Sequence, residues 1–157
     1  MAVKAEFKFE GLEMLQERLT QKAEQLKSAL DMRLLQLCED AVTYSKEHKG
    51  YKDRTANLKN SISFALFRDG ELLRMYEGKL TVPNATKEGQ AQVSENLQEY
   101  ANSGVVAPKG YSLVIVAGMN YGVYVEHRGY NVLHLTKYYL KDELERILGN
   151  VIELLNK

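Results

Sequence analysis

Apolar residues recur at steps of three, four or seven along the first third of the chain: Leu12, Leu15, Leu19, Leu26, Leu30, Leu34, Leu37, Ala41 and Tyr44. This is the stripe of an amphipathic helix. No Gly or Pro interrupts Leu12 to Lys49, and Gly50 reads as the stop. A straight helix of that length spans on the order of 50 Å at ~1.5 Å per residue, more than the diameter of a small domain. Either it bends or breaks, or something else covers part of the stripe, and a partner subunit is a natural candidate. Ahead of it, "EFKFEG" alternates Phe7 and Phe9 with charges, as a short strand or a lead-in packed under the helix.

After a polar connection, "GYKDRTANLKN", the period changes from 3.6 to two. Asn60 to Phe67 places Ile62, Phe64 and Leu66 on one side, the pattern of a half-buried strand. "RDG" then marks a hairpin turn, and "ELLRMYEG" reads as the returning strand. Thr81 to Gly110 holds both prolines and many small polar residues. It reads as an insertion, mostly exposed, whose polar middle forms a short helix with Val93, Leu97 and Tyr100 on one face. "YSLVIVAG" is almost wholly apolar and β-branched, which suits a central strand buried on both sides. The end, "LHLTKYYLKDELERILGNVIELLNK", returns to helical spacing, with Asp142–Arg146 as an i,i+4 ion pair on its solvent face. The predicted architecture is α+β: a long N-terminal helix and a C-terminal helix on a small, mainly antiparallel sheet, helices on one face, with an inserted loop or short helix. The 157 residues are expected to form a single domain, with the insertion at about 81–110.

Composition narrows the function classes. Hydrophobic residues make up 45% and charged residues 27%, and 21 basic residues balance 21 acidic ones. That balance lacks the footprint of a general nucleic-acid binder. No run is long and apolar enough for a membrane span, and the first residues lack the pattern of a signal peptide, so a soluble protein made in the cytoplasm is expected. Cys38 is the only cysteine, so no intrachain disulfide forms, and its neighbours place it on the inner face of a helix as a buried, inert thiol.

Metal and cofactor chemistry find little support. The three histidines, His48, His127 and His134, show no ligand spacing, and one cysteine cannot build a zinc clip. No nucleophile elbow or phosphate loop is present. No cofactor is expected. The stretch densest in functional groups is "NYGVYVEHRGYNVL", Asn120 to Leu133. Tyr121, Tyr124, Glu126, Arg128 and Tyr130 are of types enriched at protein–protein contacts. The plainer alternative has Tyr121, Val123 and Val125 packing the strand's end into the core. Glu126 pairs with Arg128 or Arg54 in either case, within the fold or between subunits. A small enzyme using Glu126 and His127 as acid and base, or an adaptor domain with a transient partner, are the other classes.

Two stretches resemble a known family. In "DRTANLKNSI", Thr55, Leu58, Ser61 and Ile62 match a Thr-Gly-x-Leu-x-x-Ser-Ile signature, with Ala56 where Gly is usual. In "NYGVYVEHRG", Tyr121, Tyr124, Val125, Glu126 and Gly129 match Tyr-Ala-x-Tyr-Val-Glu-x-Gly-Thr. There Gly122 stands for the usual Ala, Gly129 falls one residue late, and Tyr130 replaces Thr. Both are similar to motifs of the small neck and minor-tail components of long-tailed bacteriophages, of the head–tail joining and tail-completion type. The likeness spans most of the chain except residues 81–110. It implies a non-enzymatic virion protein of a phage or prophage, found in the neck or tail and, during assembly, in the host cytoplasm. Its implied partners are copies of itself in a ring and other head and tail proteins, with no specific nucleic acid and no membrane.

Overall fold

The computed structural model describes residues 11–52, 56–76 and 88–155, without the side chains of 88–94 and 155. The expected lead-in around Phe7 and Phe9, together with Arg54 and Thr55, lies outside the described residues. The elements in order are α1 (Leu12–Glu47), α2 (Asn57–Asn60), β1 (Ile62–Arg68), β2 (Glu71–Tyr76), α3 (Glu88–Asn102), β3 (Tyr111–Ala117), α4 (Gly122–His127) and α5 (His134–Leu155). The chain divides into two compact units, residues 1–33 and 34–157, with α1 running through the boundary.

In the first unit, Leu12, Leu15 and Leu19 of α1 are 62%, 55% and 62% exposed. In the second, the same helix buries Leu34, Leu37, Cys38, Ala41, Val42 and Ser45. The predicted stripe is therefore real along α1, but only its later part is covered. Burying a Leu or Val side chain stabilises by about 1.5–3 kcal/mol, so the packed part is where the helix gains its stability.

The sheet is three-stranded in the order β2-β1-β3, antiparallel throughout. The Asp-Gly hairpin forms as expected. Asp69 and Gly70 have φ of 54° and 83°. That is the backbone of a primed turn, which Asp tolerates and Gly adopts freely. The Asp69 N–H donates to Gly110 O (2.8 Å), and Gly110 N–H donates to Asp69 Oδ1 (2.9 Å), which ties the turn to the start of β3. Between β1 and β2 the register slips: Leu66 faces Arg74 and Phe67 faces Leu72, so Leu73 is an extra residue, a bulge.

Two strand assignments change places. β1, expected to be half-buried, is the central strand and is buried on both faces, whereas β3, expected to be central, is an edge strand buried only at Val116. The reason lies in what covers β1. Ile62, Phe64 and Leu66 face the later part of α1, where Val42, Thr43 and Lys46 surround Phe64 and Tyr76. Small residues, Ser63 and Ala65, point the other way and leave room for α3. There Leu97, 1% exposed, packs with Ala65, Phe67 and Val116. The described part of the insertion is mostly exposed, as expected, and Leu97, with Val106 partly buried beside it, anchors it to the sheet. The expectation of helices on a single face is corrected accordingly: α1 and α5 share one face and α3 takes the other. Leu113 and Ile115, opposite Leu66 and Phe64, look across an open groove to Thr136, Leu140 and Leu144 of α5. The Tyr44 and Tyr139 rings stack at 4.4 Å between centroids and join α1 to α5. On α5, Arg146 pairs with Glu143 at i,i+3, in place of the predicted Asp142.

Candidate functional site

The stretch Asn120–Leu133 folds as a helical joint between β3 and α5. Its short helix, α4, ends in a Schellman arrangement. The Gly129 N–H donates to Glu126 O (3.0 Å) and the Tyr130 N–H to Val125 O (3.3 Å). Gly129 stands at φ 81°, a conformation that favours glycine. Gly122 at the other end is buried against Leu58. A Cβ there would stand 3.0 Å from Leu58 Cδ1. Leu58, Met119 and Val132 form a small core with Tyr51, Val125 and Leu133 around it. The Gly118 N–H also donates to Ser61 O (3.0 Å). The two stretches that carry the family resemblance therefore touch, Leu58 of one against Gly122 and Val125 of the other, with Ser61 bonded to Gly118 just ahead of the second. Ser61 and Ile62 are fully buried. Ala56, just before α2, has φ 56°. This is the left-handed conformation that glycine adopts freely, and glycine is the residue this motif usually carries there.

Glu126 has a defined task. Its carboxylate accepts three backbone N–H groups: Val132 (2.9 Å) and Leu133 (2.8 Å) on Oε2, and His134 (3.2 Å) on Oε1. Asn131 continues the series, its Oδ1 accepting the Leu135 N–H (2.9 Å). Four consecutive amides at the start of α5 are thus satisfied by two side chains, and a carboxylate at a helix N-terminus is also favoured by the helix dipole. The expected pairing of Glu126 with arginine does not form with Arg128. That guanidinium sits 4.5 Å from the Tyr124 ring centroid, in a cation–π contact.

Asn131 also reaches backwards. Its Nδ2 donates to His48 O (2.7 Å), and the Gly50 N–H donates to its carbonyl (3.2 Å). From sequence, Gly50 is expected only to stop the first helix. Its larger role is close approach, since a Cβ would lie 3.0 Å from Asn131 N and 3.4 Å from Tyr130 Cα. Sequence reasoning misses Asn131, although an Asn just ahead of an apolar periodic run is a helix-start signal.

The aromatic residues of the stretch face outward. Tyr121, Tyr124 and Tyr130 are exposed, and so is Val123, which corrects the reading that placed Tyr121 and Val123 in the core. Leu135 and Tyr138 of α5 are exposed as well. His127 is exposed beside a carboxylate already held by backbone amides. Among the described residues, no cluster of His, Cys, Asp or Glu is arranged to hold a metal ion, and no helix is long and apolar enough to cross a membrane. Cys38 is fully buried, and burial pushes its thiol up to about 12.

Comparison of the chain with family models, with curated proteins and with solved structures finds no match.

Proposed function

We propose that this chain is a structural subunit of a tailed bacteriophage or prophage particle, a neck or tail-completion component that assembles with copies of itself in a ring at the head–tail junction and with other head and tail proteins. The observation that carries this reading is the division of labour in Asn120–Leu133. Its one carboxylate is held by three backbone amides, where acid–base work would uncap α5. Its tyrosines, with Arg128, stand outward as a surface of the residue types found at contact hot spots. The contact between the two motif-bearing stretches adds support, because residues far apart in sequence then form one structural unit. The bare leucines of α1 supply a second apolar surface suited to a partner.

The test is genetic and visual. Particles made without this gene are imaged, and unjoined heads and tails, or tails lacking their head-proximal end, are the expected result. Tyr124→Ala with Tyr130→Ala changes exposed side chains only and is expected to give the same defect from a folded protein. Normal infectious particles from the deletion defeat the proposal.

A further inference from the structure

The two edges of the sheet differ sharply. The β2 edge carries Glu71 and Arg74 and is kinked by the bulge at Leu73. Charges and bulges are the usual means of stopping an edge from recruiting another strand. The β3 edge has neither. Its seven residues, YSLVIVA, include no charge and no proline, and its pairing with β1 is regular from Ile62–Ala117 to Arg68–Tyr111. Six of the seven are half-exposed. Among the described residues no strand pairs with its outer side. Two open grooves adjoin β3 and share Ile115, Leu133 and Lys137. One, of about 590 Å³, runs past Val116 and Ala117 to Tyr100 and α4; the other, of about 410 Å³, lies between Leu113 and Leu140 and Leu144 of α5. The charged side chains lining the second groove are Lys137 and Lys141, and in the first groove Lys137 accompanies a Glu126 carboxylate already engaged by amides.

We propose that the outer edge of β3 receives an extended strand from a different polypeptide, apolar toward the grooves and carrying carboxylates that meet Lys137 and Lys141. Main-chain hydrogen bonds along the edge supply the affinity and the flanking grooves and lysines the choice of sequence. The lysines also decide against β3 of a second copy. Two copies joined antiparallel, edge to edge, about a two-fold normal to the sheet place both α5 helices on the same face of the joined sheet, which gathers the lysines of both copies on one face, where like charges repel. This deepens the assembly reading above and rests on it only for the partner being another protein of the particle.

The purified chain is titrated with two synthetic octapeptides, one alternating valine with glutamate and one alternating valine with lysine, while hydrogen exchange is followed across residues 111–117. The glutamate peptide is expected to bind about tenfold or more tightly than the lysine peptide at low salt, and to slow exchange in β3. Lys137→Glu with Lys141→Glu, both on the exposed side of α5, is expected to reverse the preference without altering the circular dichroism. Equal binding of the two peptides, no binding of either, unchanged exchange in β3, or self-association that protects β3 as concentration rises each overturns the proposal. Normal particles from the gene deletion, by contrast, remove the virion reading and leave the peptide result standing.

Discussion

Replacing Glu126 by alanine removes the acceptor for the amides of Val132, Leu133 and His134 in one step. The size of the effect is bracketed by two limits. A single helix cap is typically worth ~1 kcal/mol. Three independent buried hydrogen bonds to a charged group, at about 1.5–3 kcal/mol each, set the upper limit. The three bonds here share one half-buried carboxylate, so water refills part of the site when it is gone. The expected loss is about 2–4 kcal/mol. Glu126→Gln keeps the shape and one good acceptor but turns an amide NH₂ toward backbone donors, and should lose roughly half as much. Urea unfolding followed by circular dichroism measures both, with an unchanged m value showing that the fold itself is retained. Hydrogen exchange should accelerate most at residues 132–134. A loss below about 0.5 kcal/mol for Glu126→Ala, or unaltered exchange at those amides, refutes the capping role, since even one cap is worth more.

Three further outcomes follow from the same structure. Gly50→Ala forces a Cβ to 3.0 Å from the Asn131 backbone nitrogen, and should destabilise by about 1–3 kcal/mol, as overpacking does; an unchanged urea midpoint would show that the 130–131 backbone yields freely. Leu97→Ala empties the anchor of α3 and should lose about 2–5 kcal/mol, with faster exchange in β1 and β3; a loss under ~1 kcal/mol would mean that α3 is not seated on the sheet. Burial raises the Cys38 thiol from 9.0 to about 12, so the folded state holds this proton longer than the unfolded chain. The stabilising contribution is complete below about pH 9 and is lost as pH rises toward 12, by at most ~1.4 kcal/mol per pH unit. Stability above about pH 9 should therefore fall more steeply in the native protein than in Cys38→Ala, and parallel curves would refute this.

Features set by near neighbours are legible in the amino-acid order. The α1 stripe and the Asp69–Gly70 turn depend on residues two to four apart, and both form where expected. Strand placement is not legible in the same way. The apolar run at Leu113–Ala117 contains few polar groups, but its position in the sheet depends on what lies beside it, and it is β1, with Ser63 and Ala65 under α3, that is covered twice. Leu97 is legible as part of one face of a short helix, but its polar stretch does not show that this face is seated on the sheet. Within Asn120–Leu133 the residues of interest are recognisable by type, while their roles are not. Glu126 invites a search for a positive side chain, yet its partners are backbone amides six to eight residues further on. Only the fold of α4, closed by Gly129, turns the carboxylate back toward them.

The Asn131 clasp bears on how a newly made chain matures. The hydrogen bond from its amide to the His48 carbonyl closes a loop of 83 residues, and ordering a loop that long costs about 4 kcal/mol in chain entropy beyond a constant term. During translation, roughly ten seconds separate the synthesis of its two ends at usual elongation rates. Throughout that interval the end of α1 lacks its clasp at His48, and Tyr44 lacks the Tyr139 ring that stacks on it. The nascent polypeptide is therefore more vulnerable to chaperone capture or proteolysis at this end of α1 until residues 131–139 leave the ribosome.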